Sequence, residues 1–251
     1  MLSDNLSADP VISETVVYAG RDLEAMSFAA NYHRWILEFF KPYLGKHLVE
    51  VGAGTGSFSE MIAALPIASL TLIEPSDTMH AILRQNAGQF GGGLRVHTFN
   101  ACFTDVADEI KMGGMVDSIV YVNVLEHISD DEGELGVVCR TLPKGGRVFI
   151  FVPACQWLYG GLDREIGHFR RYDKNELEEK CRQSGFTIIS SRYFDLLGVV
   201  PWWVRYRLLK SIKMEAGAVK IYDRYFVPLT KKIESIGAPP IGKNIILVAE
   251  K

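Results

Sequence analysis

The chain has 251 residues, of which 48% are apolar and 23% charged, and a formal net charge of −3. This length and apolar content predict one large domain, or one domain with an added cap. The slightly acidic balance gives no overall basic field, so we predict no nucleic-acid partner. The four cysteines form no Cys-x-x-Cys pair, which predicts reduced thiols in a cytoplasmic protein. The polar start at residues 1–10 has no signal-peptide core, and no apolar run reaches the roughly 18 residues of a membrane span.

The first predicted element is a helix from about residue 13 to residue 44, whose apolar face carries Met26, Ala29, Ala30, His33, Ile36, Leu37 and Phe40. Strand-like runs follow at 47–51, 69–73, 94–99, 117–122, 147–152, 186–193 and 244–249. Helical patterns lie between the first six of them, at 58–65, 78–85, 105–111, 131–141 and 174–184. Strands that alternate with helices predict an α/β fold with a mostly parallel sheet covered on both faces.

Two long connections interrupt this alternation, at 153–172 and 196–242. Long excursions in a compact fold are usually functional or form a subdomain. Residues 196–240 contain eight basic and three acidic residues and the pair Trp202-Trp203. This composition suits a membrane interface or an amphipathic acceptor. An ordinary helical lid over an apolar pocket, with its basic residues facing outward, fits the same pattern.

The most informative feature is the run Glu50-Val51-Gly52-Ala53-Gly54-Thr55-Gly56-Ser57 at the end of the first predicted strand. Glycines at alternate positions let the chain turn tightly and let a ligand approach the backbone. A dinucleotide fingerprint needs a glycine where Ser57 stands. The Glu50 carboxylate would repel a pyrophosphate, but it could help to hold an ammonium group. We therefore predict a nucleotide-type cofactor other than NAD.

Polar residues also end the next three predicted strands. Glu74 follows the second strand, where a carboxylate can accept both hydroxyls of a ribose. The third strand ends in Asn100-Ala101-Cys102, and the fourth in Asn123-Val124-Leu125-Glu126-His127. Ligands of open parallel sheets bind at the carboxyl ends of the strands, so these residues are expected to meet at one edge.

The pattern Glu-x-Gly-x-Gly-x-Gly at 50–56 and the segment Asn-Val-Leu-Glu-His at 123–127 resemble the first and fourth motifs of class I S-adenosylmethionine (SAM)-dependent methyltransferases. The resemblance implies SAM as the cofactor and S-adenosylhomocysteine as the product. It implies a Rossmann-like fold with a seven-stranded, mostly parallel sheet, an antiparallel last strand and a helical cap between strands 6 and 7. The expected organisation is a helical segment covering the cofactor (1–44), a SAM-binding domain (45–195 plus 243–251) and a cap (196–242).

The resemblance also implies a SAM site built from the N-terminal helix and four strand ends: Tyr32, Glu50, Gly52, Ala53, Gly54, Gly56, Glu74, Pro75, Asn100, Ala101, Cys102, Asn123 and Val124. Asn100 stands where the family commonly has an aspartate that contacts the adenine amino group, and its amide oxygen can accept the same hydrogen bond. It could equally be a turn residue. Tyr32 corresponds to a tyrosine on a helix that covers the cofactor, and core packing is the alternative.

A second resemblance concerns the acceptor. Gly167-His168-Phe169-Arg170-Arg171-Tyr172 resembles the Gly-His-x-Arg-Arg-Tyr segment of a bacterial methyltransferase subgroup often associated with polysaccharide or lipid-linked sugar pathways. The candidate catalytic residues are His127, His168, Arg170, Arg171 and Tyr172. Either histidine could take a proton, and arginines bind phosphate or carboxylate groups. Alternatively, ion pairs with Asp163 and Glu165 brace the loop, and His127 only lines it. We expect a mixture, in which some residues brace the loop while His168 and Arg170 or Arg171 face the pocket.

These patterns predict a SAM-dependent methyltransferase that methylates a hydroxyl group of a small or lipid-linked saccharide or aromatic acceptor. N-methylation, carboxyl methylation and another reaction of bound SAM remain open. An NAD-dependent oxidoreductase is disfavoured by Glu50 and Ser57. We expect no metal, because Asn123 is isolated among the strand tips. The sequence leaves the oligomeric state open and allows peripheral contact with the inner face of a membrane through 196–240.

Overall fold

The computed structural model describes residues 29–114 and 116–251. A seven-stranded sheet contains the strands β1 (His47–Val51), β2 (Ser69–Ile73), β3 (Arg95–Phe99), β4 (Ser118–Val122), β5 (Arg147–Pro153), β6 (Thr187–Phe194) and β7 (Asn244–Glu250). Their order is β3-β2-β1-β4-β5-β7-β6. Pairing is parallel from β3 to β5, and β7 runs antiparallel to both β5 and β6. The predicted mostly parallel α/β sheet with an antiparallel last strand is confirmed.

The middle of this sheet is buried on both faces, as β5 shows. Phe149 and Phe151 enter one hydrophobic core, whereas Val148 and Ile150 enter the other. Successive side chains of a strand point to opposite faces, so a strand covered on both sides needs a continuous apolar run. This is why the strands were recognisable in the sequence.

Helices cover both faces and alternate with the strands: α1 (Ala30–Phe40), α2 (Ser57–Ala63), α3 (Asp77–Ala87), α4 (Phe103–Met112), α5 (Asp131–Thr141), α6 (Gly161–Glu165) and α7 (Lys174–Gln183). The helix α1 packs Ile36 and Phe40, both fully buried, into the core that contains Phe149. The part of the predicted first helix that precedes residue 29, including Met26, lies outside the described residues.

The chain between β6 and β7 is helical. It contains α8 (Val199–Trp202), which continues as a wider π-helical stretch (Trp203–Leu208), and a second run made of α9 (Ala216–Ile221), a π-helical stretch (Tyr222–Phe226) and α10 (Val227–Glu234). We call residues 196–242 the cap. In the described part of the chain, none of the helices combines the length and apolarity needed to cross a bilayer.

Two buried aspartates fasten the cap to the rest of the protein. Asp223 accepts hydrogen bonds from the backbone N–H groups of Asn31 (3.1 Å) and Tyr32 (2.9 Å) at the start of α1. Asp195, at the end of β6, accepts the hydroxyl protons of Tyr32 (3.0 Å) and Tyr222 and pairs with the Lys243 ammonium (3.0 Å). The cap, α1 and the start of β7 therefore meet at one polar centre.

Candidate functional site

A cavity of about 400 Å³ opens at the carboxyl ends of the central strands. Its wall combines α1, the glycine turn after β1, the ends of β2 and β4, and the loop after β5. Trp202 and Met214 of the cap contribute to it, as do Lys243 and Asn244 at the start of β7. Of the predicted residues, the wall contains Tyr32, Glu50, Gly52, Ala53, Gly54, Glu74, Pro75, Ala101, Cys102, Asn123, Val124, His127, His168 and Arg171.

The glycine turn is shaped by close approach to the loop that follows β4. Gly52 has a φ of +67°, and a Cβ atom there would lie 2.5 Å from a methyl carbon of Val124. Only glycine fits such a position without displacing its neighbour. Gly56 also has a positive φ, of 92°, but it lies at the start of α2 and does not line the cavity. Gly56 therefore contributes to the shape of the turn, and its position does not support the predicted contact with the cofactor.

Glu74 is held against the glycine turn by two backbone hydrogen bonds. Its Oε2 atom accepts from the Gly54 N–H at 2.8 Å, and its Oε1 atom accepts from the Ser76 N–H at 2.9 Å. Burial raises the pKa of this carboxyl, and the two hydrogen bonds oppose the rise. The carboxylate thus has a fixed orientation on the cavity wall.

Glu50 is a second, more deeply buried acid, with 3% of its surface exposed. The Ser59 hydroxyl donates to its Oε2 atom at 2.6 Å. Burial, together with the nearby charge of Glu74, raises the pKa of Glu50 to about 8. A cation that enters the cavity would relieve the cost of ionising this group.

The wall after β3 differs from the prediction. Ala101, Cys102, Phe103 and Thr104 line the cavity, and Asn100 does not. The exposed Asn100 donates its side-chain N–H to Asp77 at 2.6 Å, at the start of α3. That hydrogen bond directs the amide towards α3, which agrees with the alternative prediction that Asn100 is a turn residue.

Asn123 and Tyr32 both lie on the wall, where each is held in place. Asn123 has a left-handed backbone, with a φ of 54°, and its N–H donates to the Phe151 carbonyl at 2.8 Å. The Tyr32 hydroxyl also contacts the Asn244 amide oxygen at 2.9 Å, in addition to Asp195. Burial and the Asp195 charge raise the pKa of Tyr32 well above its usual value, so it stays neutral.

The loop after β5 builds an aspartate–histidine pair. The Oδ1 atom of Asp163 lies 3.0 Å from Nδ1 of His168 and 2.7 Å from Nε of Arg171. Hydrogen bonds from His168 and the Gly160 N–H, with the Arg171 charge, lower the pKa of Asp163 despite its burial. An ionised carboxylate has no proton to donate, so the hydrogen lies on Nδ1 of His168. In neutral His168, the Nε2 atom then carries the free lone pair.

Glu126 faces that pair, and the sequence reasoning missed it. Its side chain is fully buried on the cavity wall, and in the described structure neither carboxylate oxygen has a hydrogen-bond partner. Its Oε1 atom lies 3.8 Å from Nε2 of His168. Burial raises the pKa of Glu126 to about 7, with the His168 and Arg171 charges acting in the opposite direction. Its only signal in the sequence was its place in the Asn-Val-Leu-Glu-His segment.

His127 completes this cluster, with its ring edge-to-face on His168 at 4.6 Å between centroids. Burial and the His168 charge lower the pKa of His127 to about 3, although the Gly167 backbone hydrogen bond opposes this. One donor atom from each of Glu126, His127 and His168 can be chosen so that all lie within 4.8 Å of one another. Such a set could also hold a divalent cation, and the absence of a metal from the reaction stays a prediction.

The other predicted catalytic residues, Arg170, Arg171 and Tyr172, mainly hold the loop after β5 in place. Arg170 pairs with Asp131 (2.8 Å) and donates to the Ser129 carbonyl (2.7 Å), outside the cavity wall. Tyr172 is fully buried, is absent from the wall and donates to Asp131 at 2.8 Å. The Arg171 guanidinium reaches the wall, but it is paired with Asp163 and stacked on Trp202 at 4.6 Å. Ion pairs thus brace the loop, while His168 and Arg171 face the cavity, and a contact of Arg171 with the acceptor stays a prediction.

Comparison with known proteins decides the family. A family model described as "Methyltransferase domain" matches residues 24–191, more than half of the chain. The chain belongs to the methyltransferase domain family.

Two curated relatives and one solved structure agree with this assignment. The Azotobacter vinelandii protein named "Ubiquinone biosynthesis O-methyltransferase" is 30% identical over 168 residues, 61% of this chain and 69% of the relative. A Pseudomonas aeruginosa protein of the same name is 25% identical over 183 residues, which cover 67% of this chain and 75% of the relative. The solved structure of a SAM-dependent methyltransferase from Archaeoglobus fulgidus has the same fold, with a TM-score of 0.57 and 15% sequence identity. The match covers 92% of this chain and 99% of that one.

This methyltransferase uses SAM, and the prediction of a SAM-dependent enzyme is confirmed by its family. The cavity fits that cofactor, because two buried acids line it beside the glycine turn, and a cation that enters would favour their ionised forms. The NAD-dependent oxidoreductase is excluded as an alternative.

Proposed function

We propose that this methyltransferase transfers the methyl group of SAM to a hydroxyl oxygen of a small or lipid-linked acceptor with an apolar body. The observation that carries the proposal is the buried cluster of Asp163, His168 and Glu126 on the cavity wall. It supplies a group that can take a hydroxyl proton. The O-methyltransferase names of the relatives support the same reaction.

The cofactor positions follow from the glycine turn. Glu74 would accept the ribose hydroxyls, since its oxygens are fixed by Gly54 and Ser76. Glu50 would hold the ammonium group, because it is buried and has no cationic partner of its own among the described residues. The wall after β3, including Ala101 and Cys102, would contact the adenine ring. Asn123 would lie near the methionine portion.

The sulfonium of SAM supplies an activated methyl group, so the residues of this chain mainly orient the acceptor and exclude water. The acceptor hydroxyl loses its proton to the Glu126–His168 pair. With SAM bound, the acceptor oxygen would take the methyl group while the carbon–sulfur electrons pass to sulfur, and S-adenosylhomocysteine would be the product. His127 is a poor proton acceptor, because its pKa is lowered to about 3.

The acceptor class follows from the rest of the wall. Ile128, Ile166, Trp202 and Met214 provide apolar surface from the loops and the cap. The two cations on the wall are already paired, Arg171 with Asp163 and Lys243 with Asp195. An aromatic or lipid-linked acceptor therefore fits this wall better than a strongly anionic one.

The test is methyl transfer from labelled SAM to a panel of phenols, catechols with and without an alkyl chain, and lipid-linked sugars. We expect a product that gains one methyl group on oxygen, identified by mass spectrometry and fragmentation. A product methylated on nitrogen or on a carboxylate, or a mass gain other than one methyl group, would replace the proposal by one of the alternatives named above. Cys139→Ser is a suitable control, since this thiol lies outside the cavity wall and the variant should methylate like the wild type.

A further inference from the structure

The outward side of the cap carries an apolar stripe. In the continuous helical run 216–234, Ile221, Tyr225, Leu229 and Ile233 recur at intervals of four residues and are exposed by 58%, 62%, 51% and 39%. Residues four apart lie on the same side of a helix. Large apolar side chains exposed in a row on a helix mark a contact surface rather than ordinary solvent exposure.

The opposite side of the same run already has its partner within the protein. Asp223, Val227, Thr230 and Glu234 are buried, at the complementary positions. Asp223 caps α1, and Glu234 accepts from the Leu196 N–H at 2.9 Å. The outward stripe is therefore not the face that holds the cap on the protein.

The distribution of charge indicates what the stripe contacts. Of the three acids in the cap, Asp223 and Glu234 point inward and Glu215 pairs with Arg205 at 2.8 Å. The outer surface carries exposed basic residues at Arg207, Lys210, Lys213, Arg224 and Lys232. An apolar stripe flanked by Lys and Arg matches the interface of an anionic bilayer, where the apolar side chains enter the acyl boundary and the cations meet the headgroups.

The preceding segment of the cap has the same character. Trp203, Leu208, Leu209 and Ile212 are exposed by 41%, 59%, 70% and 51%. Their neighbour Trp202 lines the cavity. The cap thus joins an apolar exterior to the wall of the proposed acceptor site.

We propose that the outer face of the cap, centred on Ile221, Tyr225, Leu229 and Ile233, docks on an anionic membrane surface. The binding is peripheral and does not depend on methyl transfer. It goes beyond the proposed function, although it would deliver a lipid-linked acceptor to the cavity.

The test is co-sedimentation of the full chain with vesicles of phosphatidylcholine alone or of equal parts phosphatidylcholine and phosphatidylglycerol. We expect binding to the anionic vesicles that weakens with salt, and a roughly tenfold loss of affinity in Leu229→Glu. Ile82→Glu is the matched control, because Ile82 is a helical isoleucine exposed by 47% on α3. It should bind like the wild type.

The proposal is overturned if the wild type binds neither kind of vesicle, or if Leu229→Glu and Ile82→Glu have the same affinity for the anionic vesicles. It is also overturned if sedimentation shows a dimer that Leu229→Glu dissociates, because the stripe would then bind a second copy. Should Leu229→Glu fail to fold, Arg224→Gln combined with Lys232→Gln gives the second test. Both residues are exposed, and this double variant should bind anionic vesicles about tenfold more weakly, or weaker still. Unchanged affinity in a folded double variant contradicts the proposal.

Discussion

Asp163 and His168 form a hydrogen-bonded pair in which an ionised carboxylate fixes the proton of the imidazole on Nδ1, with 3.0 Å between the two atoms. The Nε2 atom is thereby directed towards Glu126. Arg171 shares the same carboxylate, so the geometry of the proton-accepting group depends on one buried residue.

Asp163→Asn should lower kcat by about 100-fold while the affinity for SAM changes little, because the side chain positions His168 without touching the cofactor site. Nitrogen-15 NMR of the His168 ring supplies a readout that a purely structural role would not change. We expect the ring proton to move from Nδ1 to Nε2 in the variant. An unchanged tautomer, or an equal loss of SAM affinity and turnover, would contradict the assignment.

Glu74→Ala should weaken SAM binding by roughly 100-fold, since two hydrogen bonds to a charged carboxylate are lost. Calorimetry at fixed pH measures the effect. Asn100→Ala is the comparison, because the Asn100 amide is directed to Asp77. We expect less than a threefold change for it. Equal affinities of wild type and Glu74→Ala would show that the site is wrongly mapped.

Glu50 should make the stability of the unliganded protein depend on pH. Its pKa is about 8 in the folded state and about 4.5 when unfolded, so the folded state binds more protons between these values. Its contribution to the free energy of unfolding is therefore fully present below about pH 4.5 and is lost as pH rises through about 8. Denaturation of wild type and Glu50→Gln across this window should show a difference that changes by up to about 1.4 kcal/mol per pH unit. Parallel curves would contradict the raised pKa.

The same group should release a proton when SAM binds near neutral pH, because an ammonium beside Glu50 favours its ionised form. Calorimetry in two buffers of different ionisation enthalpy counts the protons released. Glu50→Gln should abolish the release, whereas Asn100→Ala should retain it. Retention of the full proton release in Glu50→Gln would assign it to another group.

Tyr172→Phe should leave kcat nearly unchanged and lower the free energy of unfolding by about 1–2 kcal/mol, because it removes a buried hydrogen bond to Asp131. Urea denaturation and the methyl-transfer assay measure the two quantities separately. A large loss of turnover at wild-type stability would restore Tyr172 as a catalytic residue.

The sheet was predictable because each strand is a short apolar run between turn residues, and β1 and β2 match their predicted bounds. The glycine turn was predictable for a related reason, since the backbone conformation at Gly52 excludes other residues. The part of the site that depends on backbone conformation could therefore be predicted from residue type alone.

The orientation of charged side chains was less predictable. Arg170 and Tyr172 are adjacent in sequence to Arg171, yet both are drawn to Asp131, on α5, by long-range contacts. Glu126 stood out in the sequence only as part of the Asn-Val-Leu-Glu-His segment, and its importance arises from burial without a hydrogen-bond partner among the described residues. Such partnerships depend on how separate elements pack, which local patterns do not encode.

The hydrogen bonds from Asn31 and Tyr32 to Asp223 join the beginning of α1 to the middle of a helix almost two hundred residues later in the chain. Grafting residues 196–242 onto another methyltransferase would carry Asp223 away from the two N–H groups that donate hydrogen bonds to it. A chimaera would leave this buried carboxylate without those donors unless the recipient also received the first turn of α1. The two segments are in this sense one exchangeable module, and protein engineers should move them together.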